Sequence, residues 1–67
     1  MQINTDRYQK VNGQLPSGIK VWDFIVTLND GSSFGWCSGG SFPYSAAVKL
    51  LRAETHDVKN VYLLRGI

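Results

Sequence analysis

The chain has 67 residues, of which 43% are hydrophobic, 12% aromatic and 18% charged, with a net charge of +2. This balance excludes intrinsic disorder, which combines low hydrophobicity with high charge, and the length confines the chain to a single domain, residues 1–67, that buries only about 60% of its unfolded surface. The single cysteine, Cys37, excludes an internal disulfide and favours a reducing compartment.

The first segment, INTDRYQKVNG, reads as a short helix over residues 4–12. Asn4 or Thr5 can cap it, Asp6 lies in its first turn and Gly13 follows its last turn. With Asn4 as cap, Ile3 and Tyr8 take the positions of a hydrophobic staple, and Val11 shares the Tyr8 face. A hairpin turned at Asn12-Gly13 is the alternative, but Pro16 would end its second strand almost at once. QLPSG is a connector.

IKVWDFIVTL contains the clearest strand, with Trp22, Phe24, Val26 and Leu28 alternating against Asp23, Ile25 and Thr27. NDG is a turn, and SSFGWCS is the second strand. The length of the turn sets the facing. A two-residue Asp30-Gly31 loop puts Phe34 across from Thr27. A three-residue Asn29-Asp30-Gly31 loop pairs Leu28 with Ser32, Phe34 with Val26 and Trp36 with Phe24. The second register gathers Trp22, Phe24, Phe34 and Trp36 on one face, and Gly31 supplies the left-handed residue that such a loop needs. We therefore expect the second register, with Phe34 and Trp36 in the core.

Residues 43–55 read as the main helix, with Pro43 in its first turn and Ser41 or a neighbour as cap. Tyr44, Ala47, Val48 and Leu51 form its apolar face, flanked by Leu50, while Lys49, Arg52 and Glu54 face solvent. HDVKN turns the chain into a last strand, VYLLRGI. Its Val61 and Leu63 point one way and Tyr62 and Leu64 the other, the mark of a central or well-covered strand. The expected architecture is α+β in the order α-β-β-α-β. A right-handed crossover through the main helix makes the third strand parallel to the second. The result is a three-stranded, mainly antiparallel sheet of order 2-1-3 with the main helix on one face.

The pattern Tyr8, Gly13, Pro16, Gly18, Trp22, Phe24, followed by Tyr44-Ser45-Ala46-Ala47, resembles small uncharacterised α+β proteins encoded by phages, prophages and mobile elements. The resemblance spans most of residues 8–64 and rests on structural positions, so it transfers no functional residue. It implies a gene context in which short proteins bind and redirect a host protein.

No catalytic constellation is apparent. Cys37 would need a base, and the lone histidine, His56, lies beyond the main helix beside Asp57. We expect Cys37 to be a small apolar filler and His56 a residue at the helix C-terminus. One Cys and one His do not make a zinc site, and neither metal nor cofactor is expected. Ser38-Gly39-Gly40-Ser41 precedes the main helix and could hold an anion on free backbone N–H groups. It matches neither a Walker loop nor GxGxxG, and a strand-to-helix link is the simpler account. The candidate binding residues are Ser38, Gly39, Gly40, Ser41, Lys49 and Arg52.

The aromatic face could stack bases, but it is also the only strongly apolar face that a helix could cover. The seven basic residues are spread along the chain, unlike the concentrated charge of a dedicated nucleic-acid binder. The runs FIV and VYLL are far shorter than the roughly 20 residues of a membrane helix. MQINTDRYQK lacks a basic segment followed by an apolar one, so no signal peptide is expected, and the expected location is the cytoplasm of a host cell. The sequence thus points to a non-enzymatic accessory protein that binds a host protein, as an inhibitor for instance of a defence system. The alternatives are a small nucleic-acid-binding regulator or an anion binder at the Gly-rich loop. The second strand would be an edge, open to strand addition or to a dimer.

Overall fold

A computed structural model describes residues 2–67. The elements, in chain order, are β1 (Ile3–Asn4), α1 (Asp6–Asn12), β2 (Ile19–Lys20), β3 (Trp22–Leu28), β4 (Ser33–Cys37), β5 (Phe42–Pro43), α2 (Tyr44–Glu54) and β6 (Val58–Gly66). The fold is mixed α+β, with two helices, a four-stranded sheet of order β1-β6-β3-β4 and a two-stranded ribbon of β2 and β5.

This corrects the expected topology in two places. The three expected strands lie side by side as β4, β3 and β6, but β1 adds a fourth, parallel to β6, pairing Ile3 with Val61 and Asn4 with Tyr62. Residues 19–20 and 42–43, read as strand start and connector, form the separate antiparallel ribbon, with Ile19 opposite Pro43. The missed β1 explains the last strand. β6 is apolar on both faces because it is central, flanked by β1 and β3. It also begins earlier than expected, at Val58.

The β3–β4 hairpin takes the register that the aromatic pattern favours. Val26 faces Phe34 and Phe24 faces Trp36. Leu28 N–H donates to Ser32 O at 2.8 Å across a loop of Asn29, Asp30 and Gly31, and Gly31 has φ +90°. Asp30 Oδ1 accepts from Ser32 N–H at 2.9 Å and from Ser32 Oγ at 2.6 Å, closing the turn with a side chain. Those bonds hold the Asp30 carboxyl below its ordinary value.

Both helices pack on the same sheet face. The core is Tyr8 from α1, Trp22, Phe24 and Val26 from β3, Ala47 and Leu51 from α2, and Val61 and Leu63 from β6. Trp22 is its hub. The indole is wholly buried and meets Tyr8 at 5.8 Å and Tyr44 at 5.1 Å between ring centroids. The Trp22 Nε1–H donates to Phe42 O at 2.8 Å, tying the ribbon to the sheet. The ring lies over its cross-strand partner Gly66, where an added Cβ would stand 2.6 Å from Cζ3.

Helix termini follow local chemistry. Asn4 Oδ1 accepts from Asp6 N–H at 2.9 Å at the start of α1, and Gly13, at φ +73°, closes its end by donating to Gln9 O at 2.7 Å. Val11 does not share the Tyr8 environment: it is 76% exposed, on the last turn of a helix that ends at Asn12, whereas Tyr8 is buried. Ser41 does not cap α2. Pro43 is the cap residue, with no side-chain bond, because β5 intervenes between the loop and the helix.

Candidate functional site

Two edges bound the main sheet, and they differ. β1 is two residues long and runs directly towards α1, so it offers little backbone to a partner. β4 is five residues, SFGWC, with no charge and no proline. Among the described residues it pairs only with β3. Leu28 N–H bonds Ser32 O and Ser38 N–H bonds Trp22 O, so the even-numbered residues of β4 turn their backbone towards β3. The ladder alternates, and Ser33, Gly35 and Cys37 turn theirs outward.

On the core side of this edge, Trp36 packs against Phe24 at 5.8 Å between centroids, and its Nε1–H donates to Glu54 Oε1 at 3.4 Å. Phe34 does not join the core as expected. It is 40% exposed, although it stands on the core side opposite Val26. The eleven residues of α2 cover the centre of the sheet, and Phe34 belongs to the outermost strand.

Among the described residues, the other sheet face carries no helix. Ile25, Gly35, Cys37 and Leu64 line a shallow groove of about 280 Å³ there, and Asp23 and Arg65 stand at one end. Arg65 Nε donates to Asp23 Oδ2 at 2.8 Å, and this bond holds the Asp23 carboxyl below its ordinary value. Cys37 is exposed and not an apolar filler. Its Sγ accepts from Gly39 N–H at 3.4 Å, and its thiol, beside Asp23, helps hold that carboxyl below its ordinary value.

The structure separates the residues of the suspected Cys-His-Asp set. Cys37 pairs with Asp23 at the start of β3, whereas Asp57 O accepts from Asn29 N–H beyond its other end. Asp23 and Asn29 are six residues apart on an extended chain, about 20 Å. His56, next to Asp57, is therefore no base for Cys37. Among the described residues, no three His, Cys, Asp or Glu side chains converge as metal ligands.

The Gly-rich loop is a structural part. Ser38 Oγ accepts from Trp22 N–H at 3.0 Å and donates to Gly40 O at 2.8 Å. Gly40 sits beside the Phe42 ring, and Phe42 O holds the Trp22 indole. β5 then separates the loop from α2, so Ser38, Gly39, Gly40 and Ser41 do not form a helix N-terminus. Lys49 is exposed on α2. Arg52 lines a different and larger groove, about 510 Å³, with Ile3, Leu15, Pro16, Tyr44 and Val48. None of the loop residues lines that groove, so the six candidate residues are not one site. Burial pushes the Tyr44 hydroxyl above its ordinary pKa there.

Trp22 and Phe24 are wholly buried and cannot stack on bases. No helix among the described residues is long and apolar enough to cross a membrane. No family model matches the chain, and no curated protein or solved structure matches it.

Among the described residues, the β4 edge brings several exposed features together. It is an uncharged edge strand with three outward-turned peptide units, an exposed aromatic on one side and a shallow apolar groove on the other. Sequence reasoning identified the edge from strand order alone. It missed the groove, because Ile25 and Leu64 face the same side only after β3 and β6 pair.

Proposed function

We propose that this is a non-enzymatic protein-binding module that accepts an extended segment of another protein along β4. An accessory protein of the kind found in phages and mobile elements would act in this way by occupying a surface of its host target. The observation that carries this reading is the β4 edge, five residues long and free of the charges, prolines and bulges by which proteins protect such edges. Strand addition supplies main-chain hydrogen bonds for affinity, and alternate side chains supply specificity. Here an incoming strand would meet Phe34 and Trp36 on the core side, and Gly35 and the Ile25–Leu64 groove on the open side.

Gly35→Pro tests it. Proline at an outward position removes a donor that faces solvent, not a bond of the β3–β4 ladder, so the fold is retained. Affinity capture from host lysates with wild type and Gly35→Pro should enrich a partner that the variant loses at least about tenfold, the cost of losing one hydrogen bond plus the ring's steric block. Recovery of no partner in several hosts, or of one indifferent to Gly35→Pro, refutes the proposal.

A further inference from the structure

We infer that in the free protein the β4 edge is filled by β4 of a second copy, in an antiparallel pair with its two-fold axis at Gly35. This rests on β4 being a strand acceptor, as above, but not on the existence of another partner.

Three features of the edge suit it to itself. First, the outward-turned residues Ser33, Gly35 and Cys37 are symmetric about Gly35. A two-fold axis there makes Gly35 face Gly35 of the other copy and Ser33 face Cys37 of the other copy, each pair exchanging two hydrogen bonds. Centring the axis on Ser33 or Cys37 shifts the register by four residues and loses most of these pairs. Second, the same axis sets Phe34 opposite Trp36 of the other copy on the core side, in the closely spaced non-hydrogen-bonded positions. Phe34, 40% exposed in the monomer, is then covered by an indole on both sides of the axis, extending the Phe24–Trp36 contact into a continuous aromatic row. An unrelated strand would have to supply that indole, whereas a second copy carries it.

Third, an isologous contact brings every charge near its own like. β4 has none, so the pairing meets no repulsion along the strand. On the open side Gly35 has no side chain to obstruct its counterpart, and an added Cβ there would be 4.0 Å from the nearest atom of its own chain, Ile25 Cδ1. Five residues of strand bury less than the roughly 1,200 Å² of a stable complex, which makes the dimer weak and concentration-dependent. Self-pairing would then compete with a partner strand for one edge and cover it while the protein is free.

Sedimentation of the purified protein between about 10 μM and 1 mM, the range of weak interfaces, should show the average mass rising towards twice the monomer. Gly35→Pro should stay monomeric with an unchanged far-UV spectrum, and Phe34→Ala, which removes both symmetry-related aromatic pairs, should weaken association about 25-fold, roughly fivefold for each pair. The register is read independently with Ser33→Cys. Paired residues lie about 5.5 Å apart between Cα atoms, within disulfide range. Oxidation should therefore give a dimer whose chymotryptic peptides join position 33 of one copy to Cys37 of the other. A protein that stays monomeric to 1 mM, association that survives Gly35→Pro, or links only between identical positions would overturn the inference. Purified protein alone decides it, so failure here leaves the partner reading standing, and failure of lysate capture leaves the dimer standing.

Discussion

Gly66→Ala isolates the packing of the core hub. In a strand interior, alanine is ordinarily better than glycine by roughly 0.5–1 kcal/mol, because glycine loses more backbone entropy on folding. Here the sign should reverse. The new methyl would stand 2.6 Å from Trp22 Cζ3, 2.8 Å from Cε3 and 3.0 Å from Lys20 Cδ. Lys20 can swing away, but the indole cannot. It is wholly buried between Tyr8 and Tyr44, and its Nε1–H is anchored on Phe42 O at 2.8 Å. Restoring ordinary contact requires a ring displacement approaching 1 Å, and overpacking of this kind costs about 1–3 kcal/mol. Set against the entropic gain, the net destabilisation is about 1–2 kcal/mol, or roughly 5–15 °C in Tm for a domain of this size. Urea unfolding monitored by tryptophan fluorescence, with Gly35→Ala as the control, measures it. Gly35 is the middle residue of β4 and has open space around it, so Gly35→Ala should show the ordinary sign and be more stable than wild type by up to about 1 kcal/mol. A Gly66→Ala protein as stable as wild type, or more stable, would refute the account of a Trp22 ring seated on its cross-strand glycine.

Trp22→Phe keeps an aromatic ring but leaves Phe42 O without its donor and a gap beside Tyr44. The expected cost is about 2–4 kcal/mol by denaturant titration, a large part of the roughly 3–10 kcal/mol available to a chain this short. Gly31→Ala forces a side chain onto φ +90° and should lose about 1–2 kcal/mol, read as a falling urea midpoint at constant slope. The Asp23–Arg65 pair has the pH signature of a depressed carboxyl. Its contribution is present above the ordinary value of 3.8 and is lost as pH falls through the lower folded value. Arg65 is 63% exposed, so screening limits the pair to about 0.5 kcal/mol. Asp23→Asn should remove that much at pH 7 and progressively less as pH falls below 3.8, as thermal unfolding across that range would show.

The local periodicities were legible in the chain itself. Alternation of Trp22, Phe24 and Val26 against polar neighbours marks β3, and the Tyr44–Ala47–Val48–Leu51 spacing marks α2, because a side chain's facing depends only on the period of the backbone that carries it. The hairpin register was legible for a related reason. One turn length gathers the aromatics and the other scatters them, and Gly31 can take the positive φ that the first requires. Gly13 marked the end of α1 in the same way. What neighbouring residues decide, the sequence determines.

Other features depend on residues far apart in the chain. β1 is two residues with no period to detect, and it exists only because β6 offers a free edge beside it. β2 and β5 are strands only to each other. Whether Phe34 was core or surface turned on the reach of α2 across the sheet, not on its place in the alternation. Ser38 through Ser41 resembled an anion loop until the Trp22 backbone claimed the Ser38 hydroxyl and β5 came between loop and helix. The open edge of β4 has the same origin. Its composition was visible from the start, but only the order of the strands leaves one side of it unpaired, because pairing partners are chosen by the whole sheet and not by the strand.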